Sequence, residues 1–376
     1  MEREREGFWA FNPKPLPRNY RIPQELAAKL DEATGTVHRL GGVGLLLPNP
    51  HLLIGPHLRI EAVLSSRIEG TRTEITQLLR AEAGETQPAA EAAEAQEVRN
   101  HVVAMEHGIA RIRGGFPISI RLFREMHQHL LRGVRGHHRD PGELRRSPVW
   151  IGGENLNEAV FVPPPPEKMR QALNDLERFL HEQDLPLLVQ LAMAHYQFEV
   201  IHPFLDGNGR IGRLLIPLML LEREVLPQPL LYLSAFFEQH RSQYYDHLLR
   251  TSQHGDMAPW IRFFLEGVSR QARDAEKRTI RLVELQQRMR DALLEEGKSG
   301  SVLRLVELLF VAPLLSAPMA ASRLGVSSPT AYKAIRELEE RGDLREVTGR
   351  QRHRLYEAPR IFQAVYGPVD AGSETN

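Results

Sequence analysis

Apolar residues recur along most of this chain at three- and four-residue intervals with charged residues between them, a spacing that predicts helices. From about Pro23 through the stretch EAAEAQEVRNHVVAMEHGIARI the pattern is helical-hairpin material, interrupted at LPNP and GP. RLFREMHQHLLRGV reads as an amphipathic helix, and the prolines and glycines of HHRDPGELRRSP end it. Two short β-prone runs, Val149 to Ile151 and Ala159 to Val162, then flank a polar turn, the one convincing hairpin before the C-terminus. Helical spacing resumes at Glu167, runs through LPLLVQLAMAHYQFEVI, breaks at His202-Pro203 and restarts after Asp206 as RLLIPLMLLERE. A long charged helix, EKRTIRLVELQQRMRDALLEE, leads to GKSGS, which has linker composition. Beyond it lie three helix-like runs and two strand-like ones. At the other end, FNPKPLP stiffens residues 1–22 into an extended arm whose Phe8, Trp9 and Phe11 are expected to pack onto the body.

These elements predict a mainly α fold in several units. The expected boundaries are a helical N-terminal region over 1–95, a helical core over 96–275, a linker helix over 276–300, a compact unit over 301–367 and a disordered tail over 368–376. A chain of 376 residues is long enough for two or three cores. Its 48 acidic and 48 basic residues cancel, so no global field points to nucleic acid or an anionic membrane. The absence of cysteine excludes disulfides and thiolate metal sites and suits a reducing compartment. No apolar run of signal or membrane-spanning length is present, so the expectation is a cytoplasmic protein with no membrane partner. His127, His129, His137 and His138 cluster near a helix end, but with no carboxylate at ligand spacing they read as solvated polar surface. No Walker A motif, dinucleotide fingerprint or serine elbow occurs.

The chemistry concentrates in HPFLDGNGRIGR, His202 to Arg213. Proline at 203 places His202 at a helix-ending turn, where its side chain is presented rather than buried in a helix face. The Gly-Asn-Gly run opens the next helix, whose first-turn N–H groups lack internal partners and face outward with the positive end of the helix dipole. That is an anion site. Gly207, Gly209 and Gly212 let an anion approach the backbone, and Arg210 and Arg213, three apart, project toward one region. Two guanidinium forks suit a polyphosphate. Asp206 would supply an oxygen ligand for Mg²⁺, and His202 would take the proton of an attacking hydroxyl.

This stretch resembles the Fic family signature, H-P-F-x-[D/E]-G-N-[G/K]-R with a further x-x-R, at every specified position. The resemblance implies a Fic-type helical core with a β-hairpin flap and an enzyme that moves AMP from ATP onto a Ser, Thr or Tyr hydroxyl of a protein, with Mg²⁺ as cofactor. It assigns His202 as general base, Asp206 as metal ligand, Asn208 and the Gly207 to Arg210 backbone as phosphate cradle, and Arg210 and Arg213 to the β- and γ-phosphates. PGELRRSPVWIGG and VFVPPPP look like the family's flap, with Trp150, Ile151 and Gly152 holding the target peptide as an added strand. Tyr244 or Tyr245 would line the adenine pocket, with core packing the expected role for at least one of them and for Trp260. SSRIEG, with Ser65, Glu69 and Gly70 at the defined places, fits the family's inhibitory pattern, in which Glu69 pairs with Arg213 and displaces the γ-phosphate. The same six residues also read as a helix end capped by glycine.

LRLVELLF, APMAASRLGV and SPTAYKAIRELEERGDLREVTG follow the order of a winged helix-turn-helix, with Ser327 or Ser328 capping the recognition helix. Lys333, Arg336, Arg350, Arg352 and Arg354 are candidates for DNA contact, and a protein partner or homodimer contact is the competing use of such a module. Two other readings stay open from sequence: a related nucleotide transfer or de-AMPylation on the same scaffold, and a DNA-binding regulator with a nucleotide-sensing core.

Overall fold

The computed structural model describes residues 2–3, 9–45, 51–298 and 300–367. Phe8, the LPNP interruption and the expected tail over 368–376 lie outside the described residues. The N-terminal helices are α1 (Gln24–Leu45), α2 (His51–Ile68), α3 (Ile75–Glu82) and α4 (Ala89–Arg113). The core continues with α5 (Ile120–Leu130), α6 (Pro166–Leu180), α7 (Leu187–Ile201), α8 (Asn208–Glu222), α9 (Ser234–Gln239) and α10 (Arg241–His254). A 38-residue helix, α11 (Ala258–Glu295), leads to the C-terminal unit.

α7 and α8 are the centre of the molecule. Their sequences are apolar on every side rather than striped, the signature of a helix packed all round. Accordingly, thirteen of the fifteen residues of α7 and fourteen of the fifteen of α8 are buried. α1 is striped instead, burying Leu26, Ala33, Val37 and Leu40 at helical intervals, and α11 is the helix it packs on most extensively. Ser119 caps α5, its hydroxyl accepting the N–H of Leu122 at 3.3 Å.

The extended arm is as expected, with additions. Glu2–Arg3 (β1) pairs antiparallel with Trp9–Ala10 (β2), so the flap is not the first hairpin. Ala10 is buried, the Phe11 N–H donates to the Val162 carbonyl at 2.9 Å, and the Phe11 and Phe161 rings meet at 5.5 Å. Trp9 departs from its expected role and is 57% exposed.

The expected boundary at 275/276 falls inside α11, which carries buried residues from Ala272 and Ala275 straight on to Leu282, Met289 and Leu293. After it come α12 (Ser301–Val311), β3 (Leu314–Ser316), α13 (Ala317–Leu324), α14 (Ser328–Glu340), β4 (Arg345–Glu346), β5 (Leu355–Glu357) and α15 (Pro359–Tyr366). The three helix-like runs and two strands are present; β3 and α15 are additional. The sheet is antiparallel in the order β3-β5-β4. Ser327 is the cap of α14, accepting the Thr330 N–H. Among the described residues no helix is long and apolar enough to cross a membrane.

Candidate active site

The turn between α7 and α8 is built from behind. His202 ends α7 in the left-handed region, φ 51° and ψ 62°, which throws its ring out of the helix line. Its Nδ1 lies 3.1 Å from the Glu199 carbonyl, so Nδ1 carries the proton and Nε2 is left as the basic nitrogen. Burial pushes the imidazole down to about 4, keeping it neutral and able to accept a proton at ordinary pH. Phe204 is fully buried and stacks on His127 with ring centroids 4.0 Å apart. Burying that ring contributes about 1.5–3 kcal/mol to holding the turn. Asn208 closes the loop from inside: its Oδ1 accepts the Phe204 N–H at 2.8 Å and its Nδ2 donates to the Phe204 carbonyl at 2.9 Å. The Asn208 side-chain amide thus helps hold the loop in shape, while the Gly207 to Arg210 backbone of the expected phosphate cradle faces the mouth of α8.

Two residues that sequence reasoning missed complete this support. Arg145, 1% exposed, donates from Nε to the His202 carbonyl at 2.8 Å and from its terminal nitrogens to Ser147, Pro164 and Ile201 carbonyls. It clamps the His202 turn to both ends of the flap segment, and burial pushes it down to about 10. His127 is the second. Its Nδ1 accepts the Gly142 N–H at 2.8 Å, so Nε2 donates to the Asp206 carbonyl at 2.9 Å. Read from sequence as solvated, it is wholly buried, and burial pushes it down to about 4. Arg145 and His127 gave no signal because their acceptors are backbone carbonyls distant in sequence.

The mouth of α8 faces the end of α2. Gly207 takes φ +76°, and a Cβ there would sit 3.1 Å from Leu130 Cδ2. A Cβ on Gly209 would run into the Glu69 carboxylate, so that carboxylate lies directly against the first turn of α8. Glu69 Oε1 accepts from Arg213 at 2.7 Å, and Arg213 also donates to Ser65 Oγ at 2.9 Å and to the Ser65 carbonyl at 3.0 Å. Partial burial pushes the Glu69 carboxyl up, but the Arg213 guanidinium outweighs it and holds the group below its usual range. Gly70, at φ +96°, follows the last turn of α2, as the helix-capping reading of SSRIEG expects. Arg210 lies 3.9 Å from Glu97 and 3.6 Å from Asp206. Glu199 went unnoticed in the sequence; it lines the cleft beside Arg213, half-buried, and desolvation pushes it up to about 7.

An open cleft of about 660 Å³ lies over these groups, lined by His202, Glu69, Gly209, Arg213, Tyr245 and the flap residues Trp150, Ile151 and Gly152. The flap pairs through a single bridge, Ile151 with Phe161. Tyr244 does not reach the cleft: it is 1% exposed, its hydroxyl meets His195 Nε2 at 2.9 Å, and its ring packs on Phe237. Its expected place in the adenine pocket is thus corrected, since position 244 points into the core and 245 outward. Trp260 is also core, donating from Nε1 to the Ala192 carbonyl.

Asp206 Oδ1 accepts the Gly207 N–H at 2.6 Å, and the side chain is 40% accessible. Among the described residues no group of three His, Asp or Glu side chains could enclose a metal. One accessible carboxylate beside an anion site fits a hard cation that takes its remaining ligands from phosphate and water.

The Fic/DOC family profile matches residues 117–220, and the Fic/DOC family N-terminal profile matches residues 27–110. The chain belongs to the Fic/DOC family. Relatives named "Protein adenylyltransferase Fic" from Drosophila ananassae and Drosophila melanogaster are 33% identical over 179 residues, 46% of this chain and 32% of theirs. The aligned region thus spans about a third of those relatives' length. Among solved structures, a Fic family protein from Desulfovibrio desulfuricans G20 shares the fold at a TM-score of 0.57 and 22% identity, over 91% of this chain and 98% of that one. Fic-1 from C. elegans shares it at 0.53 and 23%, over 69% and 74%. Within this Fic protein, α2 lies inside the N-terminal match and the His202 to Arg213 turn inside the other.

An HTH DNA binding domain profile matches residues 303–356. In that unit Lys333, Arg336, Arg352 and Arg354 line one polar cleft between α14 and the wing, with Tyr332 52% exposed beside them. Arg350 does not join them. Its guanidinium pairs with Glu85 at 3.0 Å, turned toward the N-terminal helices, so its place among the DNA-contact candidates is corrected.

Proposed function

We propose that this Fic protein is a protein adenylyltransferase that its own Glu69 holds in a restrained state. One observation carries the reading: the Glu69 carboxylate rests against Gly209 and on Arg213, at the helix mouth and guanidinium that suit nucleotide phosphates. A carboxylate there competes with a phosphate for the same donors, so ATP binding beside it would misdirect the α-phosphate. Misplacement by about 1 Å costs on the order of a hundredfold in rate.

In the released state the first-turn N–H groups of α8 and the two arginines would hold the phosphate chain. His202 Nε2 takes the proton of a Ser, Thr or Tyr hydroxyl on the target; the hydroxyl oxygen bonds to the α-phosphorus as the bond to diphosphate breaks. Asp206 would hold Mg²⁺, which when bound supplies charge neutralisation at the phosphates. The backbone of the flap at Ile151 and Gly152 would take the target peptide as an added strand, and Tyr245 would border the nucleotide base.

Incubation with labelled ATP tests this. Glu69→Gly is expected to raise automodification well above wild type, and His202→Ala in the same background to remove it, general-base loss costing about 10²–10⁴-fold. Intact mass must show an AMP adduct; a UMP or phosphate adduct, or equal labelling with and without Glu69, would overturn the reading.

A second reading concerns the winged unit, which we propose binds DNA through α14 and the wing. The cleft that gathers Lys333, Arg336, Arg352 and Arg354 supports it. Binding to duplex DNA that weakens steeply with salt, and less steeply in Arg352→Ala, is the expected outcome; salt-independent or absent binding contradicts it.

A further inference from the structure

A second cavity lies behind α2, away from the His202 cleft. It measures about 390 Å³ and is walled by α2, α3, α11 and α15. Ile60 and Leu64 of α2, Ile75 of α3, Ala275 of α11 and Leu230 make its apolar lining. Its polar lining includes His57, Glu61, Glu74, Gln271 and Asp274 beside the arginines Arg67 and Arg278, together with two tyrosines. The Tyr232 side chain is buried, 8% exposed, and its hydroxyl has no hydrogen-bond partner; the Tyr366 hydroxyl is likewise buried without one. Buried hydroxyls are nearly always paired, so two unpaired ones lining one cavity mark a place where another molecule's polar atoms belong. Glu61 lines the same space, its carboxylate accepting from Ser234 Oγ and from the Ser234 N–H. Burial pushes Glu61 up to about 7, so it is only partly ionised at neutral pH. The cations at the edge are already matched, Arg67 to Glu238 at 3.8 Å and Arg278 to Asp274 at 2.8 Å. Apolar side chains surrounding two unpaired hydroxyls, with the charged groups largely matched among themselves, suit a small-molecule site.

We propose that this cavity binds a small uncharged molecule with an apolar body and a carbonyl or hydroxyl group, and that its occupancy holds α2 seated on Arg213. The first half rests on the cavity alone; the second also rests on reading Glu69 as the restraint. The geometry connects them. Ile60, Glu61 and Leu64 face the cavity while Ser65 and Glu69 of the same helix end reach Arg213. A molecule filling the space touches α2 only while it is seated, so it must favour that position. Because α15 forms the far wall, the site also ties the winged unit to the restraint.

The test uses the full chain and four probes at millimolar concentration, followed by ligand-observed NMR: benzamide and cyclohexanol as uncharged molecules, benzoate and benzylamine as charged ones. The uncharged pair is expected to bind. Tyr232→Phe should weaken benzamide about tenfold, the loss of one hydrogen bond, and Ala275→Leu, which fills the space from α11, should remove binding. With benzamide saturating, amide exchange across residues 60–69 should slow several-fold. Failure of both uncharged probes, ordered water alone in the cavity, or unchanged affinity in Tyr232→Phe overturns the site. Charged probes binding as well as uncharged ones overturn the ligand class. Binding with unchanged exchange overturns the hold on α2. None of these readouts involves nucleotide transfer, so their failure is distinguishable from a failure of the adenylyltransferase reading.

Discussion

The turn that carries His202 and the turn that carries Glu69 face each other across one cleft and are held in opposite ways. The His202 turn is fixed from inside: Asn208, Arg145 and His127 tie its carbonyls and amides, and Phe204 is buried beneath it. The Asn208 contact is buried and the Arg145 and His127 contacts are partly so, which strengthens each bond and makes its loss expensive. Glu69 is held from the front, by one guanidinium, with its side chain 32% accessible. If Glu69 leaves, Arg213 keeps both bonds to Ser65 and the nearby Glu199. Release of the Glu69 side chain alone therefore leaves the buried Arg213 guanidinium hydrogen-bonded to Ser65, which lessens the cost of stranding its charge. One turn is tied down from within; the other rests on a single guanidinium.

That contrast is open to attack. The largest expected effect is at Arg145. Replacing it with Gln in a Glu69→Gly background removes donors to four carbonyls and should lower the labelling rate about a hundredfold or more through lost positioning, with the acid limb of the pH–rate profile also moved. A rate within a fewfold of its parent would show that the turn does not need the clamp. Next, Asn208→Ala should destabilise the folded chain by about 1–3 kcal/mol in urea unfolding, because two backbone groups of Phe204 lose buried partners. pH separates the regions further. The folded pKa values of His127 and His202, about 4, lie below the unfolded value. The unfolded chain binds those protons first, so stability falls as pH drops below about 6.5, by up to ~1.4 kcal/mol per unit for each histidine. Glu69 has the other sign: its contribution is present above the usual carboxyl range and is lost as pH falls through a value below that range. Restraint should therefore be level through neutral pH, as labelling of wild type against Glu69→Gly would read. The smallest effect is on stability in Glu69→Gln, under about 1 kcal/mol by the same urea assay.

Much of this was legible in the sequence where the controlling contacts are local. The break between α7 and α8 follows from His202-Pro203 and the glycines after it, and the cap on α14 from Ser327. The pairing of Glu69 with Arg213 was anticipated from a motif resemblance rather than from spacing, since 144 residues separate them. What stayed hidden depends on contacts no local pattern encodes. Arg145 and His127 address carbonyls 57 and 79 residues away, and a buried arginine without a carboxylate resembles any surface arginine in sequence. Tyr244 and Tyr245 are adjacent on one helix and differ only in which side of α10 faces the core. α15 was missed because PRIFQAVY is a two-turn helix lacking a polar cap, stabilised by burying Ile361 and Val365.

The central claim is that Glu69 occupies the place of a nucleotide phosphate. Crystals of wild type and Glu69→Gly soaked with magnesium and a non-hydrolysable ATP analogue test it most directly. The account predicts a phosphate on Arg213 and against Gly209 in the variant, with that position held by the Glu69 carboxylate in wild type. Identical phosphate placement in both, with Glu69 still seated on Arg213, would contradict it.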